Sequence, residues 1–598
     1  MYEDPSERIA KQMTMTAMDL PNRRLVETAL GNEPADMVIQ NGTLMDVYTG
    51  RMLPRRSVAV KDKWIVYVGP DASYCIGDHT EVIQADGRII SPGYIDAHTH
   101  LPYLFDLTDF LTRAIPGGTT TYITEAESYA FALGAEGFRV FLEQTRNRPV
   151  KIYSLLPPMI TLSPASRSWG ITREEARGLL QPDQVIGLGE SYWQGAILTP
   201  DNRVLDLIQE TRRAGKSVQG HAAGACDRKL AAYAAAGALS CHEAISTEDV
   251  LSRLELGYFV MVREGYIRGD LEIISSIGNG LDTRRLGLVT DGTSPERLIE
   301  RGYFVDVVQK AVDLGLDLAK VVQMASLNPA EHLGIDHLVG GISPGRMADI
   351  LLLPRPGTMM PDLVISNGRV VAEGGECTAS LPRVPHPARF MKTLNLTPVS
   401  VSELRVLSGS AQLAGYIRTI DIQKGGLVTR EGKATSVAAD GELLADPEHD
   451  LCKCVFMERA SGASEKFIGF VRGWGQKQGA AATSLCWDSS GLIGIGANDR
   501  DLAAAINRVI EMQGGTVLIK DGKPLVEIPC EAGGYVSGLE IETLVSKLKR
   551  FQRIVTELGS GLDSAHLTLC TLTSAAIPFI KMTEKGYARF REGDLVGI

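Results

Sequence analysis

The sequence predicts an α/β chain built on a (β/α)₈ barrel, with a small flanking β-sandwich domain and an additional C-terminal α+β domain. Two observations carry this prediction. Between residues 89 and 291 eight short apolar runs alternate with helix-compatible stretches, and eight such units in about 200 to 250 residues are the mark of a (β/α)₈ barrel. On either side of that region stand two similar β-rich pieces, "DMVIQNGTLM" (36–45) and "DLVISNGRVV" (362–371). Similar short strands flanking a barrel predict one small sheet beside it.

The elements follow in order. Residues 5–32, within a segment 1–34, place apolar side chains among charges at helical intervals. Residues 35–88 change period, with short strands turned at Gly, Asn and Asp, and form the first part of the small β domain. The barrel spans 89–338. Its strands are "IISPGYIDA", "TTTYIT", "KIYSLL", "VIGLGE", "KSVQGH", "ALSCH", "YFVMV" and "LGLVTD", and a helical region broken at Asn328–Pro329 closes it. Residues 339–380 return to the small β domain, and 381–399 read as a proline-rich linker. Residues 400–598 form the C-terminal domain, with a Gly-rich loop from Gly469 to Asp499 and a helix over 499–513. The glycines match neither a Walker nor a dinucleotide fingerprint.

Composition narrows the function. The chain has 598 residues, 44% hydrophobic and 22% charged, and a net charge of −11. No basic run offers an electrostatic footprint for nucleic acid, and no apolar stretch reaches the roughly 18 to 20 residues of a membrane span. The N-terminus lacks the apolar core of a signal peptide. Nine cysteines without a repeated spacing fit reduced thiols and a cytoplasmic location.

The strand ends carry the chemistry. In "DAHTH" residues i and i+2 share a face, so His98 and His100 lie together at the C-terminal end of the first strand, where barrel enzymes place their sites. The fourth strand ends in Glu190, the fifth in His221, the sixth in His242 and the eighth in Asp291. Each taken singly reads as a solvated strand end; six at the same end, each after apolar residues, read as a metal site. Imidazole and carboxylate donors suit Zn²⁺, Mn²⁺ or Fe²⁺, and six ligands fit two ions sharing a carboxylate. Such a pair lowers the pKa of a bound water, and Asp291 then serves as ligand and as the base that relays the water's proton.

"PGYIDAHTH", the later histidines, the strand-eight Asp and "ISPGRMADILLL" resemble the amidohydrolase superfamily. "VIGLGE", "QGHAAGACDRKLAAYAAAGALSCHEA", "GFVRGWGQKQGAAATS" and "GIGANDRDLAAAINRVIEMQGGTVLIKDG" narrow the resemblance to the bacterial adenine deaminases. It implies His98 and His100 on one metal, His221 and His242 on the other, Glu190 bridging, and Asp291 binding metal and shuttling protons. The implied reaction is attack of metal-bound hydroxide on C6 of adenine, giving hypoxanthine and ammonia, with two divalent ions per subunit, Mn²⁺ or Fe²⁺ ahead of Zn²⁺. A homodimer, with a purine as the small-molecule partner and neither nucleic acid nor membrane, completes the expectation. Glu264, in "VREGY", is a further catalytic candidate that would hold or protonate a ring nitrogen; its competing reading is an ion pair with Arg263 or Arg268.

Two segments depart from the family pattern. Its Asp-Pro-His-Glu after the second strand reads "TEAES" here, retaining Glu125 and Glu127 with Ser128 in place of the Glu. Its His-Asp-Ser-His-Asn reads "WDSSG", Trp487 to Gly491. These departures leave open a related enzyme acting on another aminopurine or a cyclic amide. A scaffold without metal is the third reading, opposed by all six ligand positions being filled.

Overall fold

Eight parallel strands ring the centre of the molecule: Tyr94–His100 (β1), Thr119–Glu125 (β2), Lys151–Leu156 (β3), Val185–Tyr192 (β4), Ser217–His221 (β5), Ser240–Cys241 (β6), Phe259–Arg263 (β7) and Leu286–Val289 (β8). This computed structural model describes residues 23–598 apart from 199–201, 278–279, 408–415, 436, 440, 578 and 591. Of the helix expected over 5–32, Arg23–Ala29 is helical, and residues 5–22 lie outside the described residues.

The ring is not one closed ladder. β1 to β5 form one parallel arc and β6 to β8 another. Hydrogen bonds outside the two ladders fasten the seams. At one, Ser240 Oγ accepts from Gly220 N at 3.0 Å and donates to Gln219 Oε1 at 2.7 Å. At the other, Asp291 N donates to His98 O at 3.1 Å, and Asp96 accepts from Thr290 N and Thr290 Oγ1 at 3.2 and 2.6 Å.

The first apolar run splits at Gly93. Ile89–Pro92 joins the flanking sheet, pairing with Ile350–Leu353, while β1 enters the barrel. Glycine is required there, because a Cβ would stand 2.2 Å from Thr120 Oγ1.

The two flanking β pieces do meet, in one continuous hydrogen-bonded sheet of nine strands. The same Asn-Gly pair does different work in each. Asn367 and Gly368, both with positive φ, turn the hairpin between Leu363–Ser366 and Arg369–Glu373, whereas Asn41 and Gly42 sit in a bulge within Met37–Asp46. One face of this sheet, through Val38, Ala59, Trp64 and Val66, packs on Ile95, Ile123, Leu155, Met261 and Val289. Each of the valine, isoleucine, leucine and methionine side chains among them contributes roughly 1.5–3 kcal/mol when buried. The barrel floor is therefore apolar and closed, which leaves the opposite end for polar chemistry.

The helical region after the barrel breaks earlier than expected. Leu318–Met324 ends at Ala325, and Asn328–Pro329 lies inside the helix Leu327–Leu333. Pro329 occupies its first turn, where a missing N–H costs no hydrogen bond.

The Gly-rich stretch from Gly469 to Asp499 is not a loop. It supplies parts of an eight-stranded sheet through Lys466–Arg472, Ala480–Thr483 and Gly491–Gly496. Gly494 and Gly496 let the helix Asp499–Glu511 lie close, since a Cβ at either would meet Leu502 at 2.9 Å.

The stretch 381–399 has little regular structure but is pinned to the barrel. His386 hydrogen-bonds Tyr129 at 2.6 Å, and Phe390 stacks on the same ring at 4.5 Å.

Candidate functional site

Glu190, two residues before the end of β4, stands at the centre of the barrel mouth. Its Oε1 lies 3.0 Å from His98 Nε2, 3.0 Å from His100 Nε2 and 3.5 Å from His242 Nε2, and its Oε2 lies 2.7 Å from His221 Nδ1. Asp291 Oδ1 approaches His98 Nε2 and His100 Nε2, each at 3.3 Å. The six residues singled out by strand position thus share one cluster. His98, Glu190, His221, His242 and Asp291 are buried, while the His100 side chain keeps 28% of its surface accessible.

Local backbone aims these groups. Asp291 follows β8 in the left-handed region, φ 54°, which Asp tolerates better than most residues. Gly189 precedes Glu190 because any side chain there would strike Glu125, whose Oε2 lies 2.2 Å from the site of a Cβ. Glu125 in turn accepts the Glu190 backbone N–H at 2.8 and 2.9 Å. Beneath the cluster, Asp96 takes hydrogen bonds from Thr290 and from the Tyr303 hydroxyl at 2.5 Å. It thereby ties the strand bearing His98 to the one leading to Asp291.

The electrostatics describe a site that requires positive charge. Burial disfavours charge on every group here, yet Glu190 is held well below the usual carboxylate range by His242 and His221, and Asp291 by His100 and His98. Against the same burial, His98 is pushed up to about 10 by Asp291 and Glu190, and His221 to about 9 by Glu243 and Glu190. His242 goes the other way, to about 3, through burial and the neighbouring His98. Glu125 rises to about 7 through burial and its proximity to Glu190.

The donor set fits divalent cations. His98, Glu190, His242 and Asp291 present ligand atoms within 4.8 Å of one another, and so do His221, His242 and Glu243. Nitrogens of His98, His221 and His242 are buried without a hydrogen-bond partner, which is costly unless something else engages them. Nitrogen and carboxylate oxygen suit Zn²⁺, Mn²⁺ or Fe²⁺.

Glu264, expected to hold or protonate a ring nitrogen, stands outside this cluster of ligand atoms. Its carboxylate lies 3.0 Å from Lys310 Nζ and 3.9 Å from Arg297 Nη2. The pairing with Arg263 or Arg268 is not found either; both bind Asp270, and Arg263 also binds Asp291 and Glu243. Alternation explains it: Arg263 points inward at the end of β7, so the next residue points away.

Sequence reasoning missed Glu243 and Arg263. Arg263 Nη1 donates to Asp291 Oδ2 at 2.9 Å, and its Nη2 lies 3.2 Å from Glu243 Oε2. Glu243 adjoins His242 in "CHEA", and Arg263 ends a strand like the other site residues. Either position was a usable signal.

The second departure from the family pattern, Trp487 to Gly491, includes residues that meet the barrel across the domain boundary. Trp487 Nε1 donates to the Tyr103 hydroxyl at 2.6 Å, and the rings cross at 81°. The neighbouring Asp488 accepts from Tyr192 at 3.0 Å, Ser574 at 2.6 Å and the Ala576 amide at 3.1 Å. Tyr192 itself packs on His221, with ring centroids 4.6 Å apart.

A ring of parallel strands bearing histidines and carboxylates at its C-terminal end defines a metal-dependent hydrolase of the amidohydrolase class, and residues 89–371 match the amidohydrolase family. Residues 426–594 match the adenine deaminase C-terminal domain. An adenine deaminase of Moorella thermoacetica is 35% identical over 584 residues, covering 96% of this chain and 98% of the relative. One from Rubrobacter xylanophilus is 33% identical over 582 residues, covering 95% and 96%. Among solved structures, a β-aspartyl dipeptidase of Fervidobacterium islandicum aligns with a TM-score of 0.45 at 19% identity, covering 57% of this chain and 98% of that one. Within the amidohydrolases, the chain belongs to the adenine deaminase family.

Proposed function

We propose that the chain hydrolyses adenine to hypoxanthine and ammonia. The carrying observation is the cluster itself: His98, His100, His221, His242, Glu190 and Asp291 converge at the one open end of a floored barrel. Full-length kinship with adenine deaminases supports the substrate.

In this reading His98, His100, His221, His242, Glu190 and Asp291 would hold two divalent ions, Mn²⁺ or Fe²⁺ ahead of Zn²⁺. When bound, the ions supply Lewis acidity and a water that ionises near neutral pH. Asp291 receives the proton that the attacking water gives up at C6. It delivers a proton to the exocyclic nitrogen, so that the C6–N6 bond breaks with ammonia as leaving group. Arg263, bonded to the far oxygen of Asp291, keeps that carboxylate aimed at the site. Burial of the cluster strengthens each of these interactions by excluding water.

No described helix is long and apolar enough to cross a membrane, and all nine cysteines are free, which supports a reducing, cytoplasmic setting. The homodimer stays part of the reading, with size-exclusion light scattering as its check.

The test is direct. Protein loaded with Mn²⁺ is given adenine, other aminopurines and cyclic amides, and ammonia and hypoxanthine are measured. Ammonia from adenine in preference to the others is expected. Ring opening of a cyclic amide with no adenine turnover would sink the proposal.

A further inference from the structure

A cavity of about 270 Å³ lies between the barrel mouth and the helices Ile541–Glu557 and Ala565–Thr571. We infer that this cavity is an access pocket that takes one neutral, planar heterocyclic base on its way to the metal cluster, with Tyr103 and Tyr266 as its aromatic walls. The inference rests on the deaminase reading for the choice of a base.

Position is the first support. The pocket's barrel side is made by residues two to four positions past groups at the barrel mouth: Tyr103 and Leu104 after His100, Tyr266 after Arg263, and Thr293 after Asp291. His100 is the most accessible of the four cluster histidines, and the loop leading away from it runs into the pocket.

The walls are held in place. Tyr103 is fixed by Trp487, and its loop is clasped by the C-terminal domain through Leu104 N to Tyr535 O and Ser537 N to Leu104 O, both 3.1 Å. Tyr266 is tied to the loop after β8 through its backbone, Tyr266 N donating to Gly292 O at 3.3 Å. Rigid aromatic rings bind a planar π-system with little ordering cost.

Chemistry sets the class of ligand. His566 is kept neutral by burial, at about 4, and is bonded to Thr516. Lys549 on the lining is paired to Glu300 at 2.9 Å, while Glu296 and Asp563 add carboxylates. Such a lining repels phosphate. The volume lies just under the roughly 300–1,000 Å³ of drug-sized pockets, which suits a free base.

The probe is unsubstituted purine, which has no amino group to lose, titrated calorimetrically into the full-length, Mn²⁺-loaded protein. Tyr266→Ala is expected to weaken purine binding about tenfold or more, the scale of one lost base–aromatic stack. Tyr266→Phe should stay within about fivefold of wild type. Ser564→Trp, narrowing the pocket from the other side, should weaken binding as Tyr266→Ala does, with metal content unchanged. AMP should not compete. Unchanged purine affinity in both Tyr266→Ala and Ser564→Trp, or AMP binding as tight as purine, overturns the pocket. Adenine turnover in the same preparations separates the two readings. Purine binding that depends on Tyr266 without ammonia release from adenine keeps the pocket and sinks the deaminase; the converse sinks the pocket alone.

Discussion

Arg263 Nη1 lies 2.9 Å from Asp291 Oδ2, so the guanidinium at the end of one barrel strand holds the outer oxygen of the carboxylate that follows the next. The inner oxygen, Oδ1, is left to face His98 and His100. Replacing Arg263 with Met frees that carboxylate to rotate. We expect kcat to fall by about 10² or more, with metal content largely kept, as read by steady-state kinetics and metal analysis of the same sample. Near-normal kcat would show that Asp291 needs no such clamp.

Asp291 itself is the proton carrier in the proposed reaction. Asp291→Asn preserves shape and removes the basic carboxylate, so turnover should drop by at least about 10³ while much of the metal remains bound. Wild-type-like turnover in Asp291→Asn would refute the assignment.

Metal uptake should compete with protons. The cation-free His98 and His221 titrate near 10 and 9 and must lose their protons to become ligands. Apparent Mn²⁺ affinity is therefore expected to fall as pH drops from 8 to 6, by about tenfold or more per unit. Chelation should also lower thermal stability, because a cation that binds only the folded state adds about 2.7 kcal/mol at a hundredfold excess over Kd. Calorimetric titrations at three pH values check the first expectation and melting curves with and without chelator the second.

Trp487 and Tyr103 bridge the C-terminal domain and the barrel by one hydrogen bond and an edge-to-face contact. A double-mutant cycle with Trp487→Phe and Tyr103→Phe should return a coupling of about 1 kcal/mol. A coupling of zero would mean that other contacts alone hold the domains together.

Lys581 is fully buried, and burial lowers its amine to about 7; its Nζ donates to Thr571 O at 2.9 Å. An unfolded lysine titrates near 10.4. Between those values the unfolded chain binds the extra proton, so stability must rise as pH increases from about 7 to about 10. Lys581→Met should flatten that slope in scanning calorimetry across pH 7 to 9.5. An unchanged slope would assign the pH dependence to other groups.

Much of this protein was legible in its sequence. Barrel strands announce themselves as apolar runs because both faces are buried, and their polar last residues mark the open end. That His98, His100, Glu190, His221, His242 and Asp291 come together was readable from strand position alone. The tertiary structure decided what local pattern cannot carry. Glu264 and Arg263 are neighbours of similar promise in the text, and only the orientation of β7 turned the arginine into the site and the glutamate toward Lys310. Glu243 entered through its contact with Arg263. The Gly-rich stretch became sheet because its glycines make room for a helix more than for a ligand. Tyr103 and Trp487, 384 residues apart, had no local signal linking them. Periodicity records which face of an element is buried; which distant group lies against that face is fixed only when the whole chain packs.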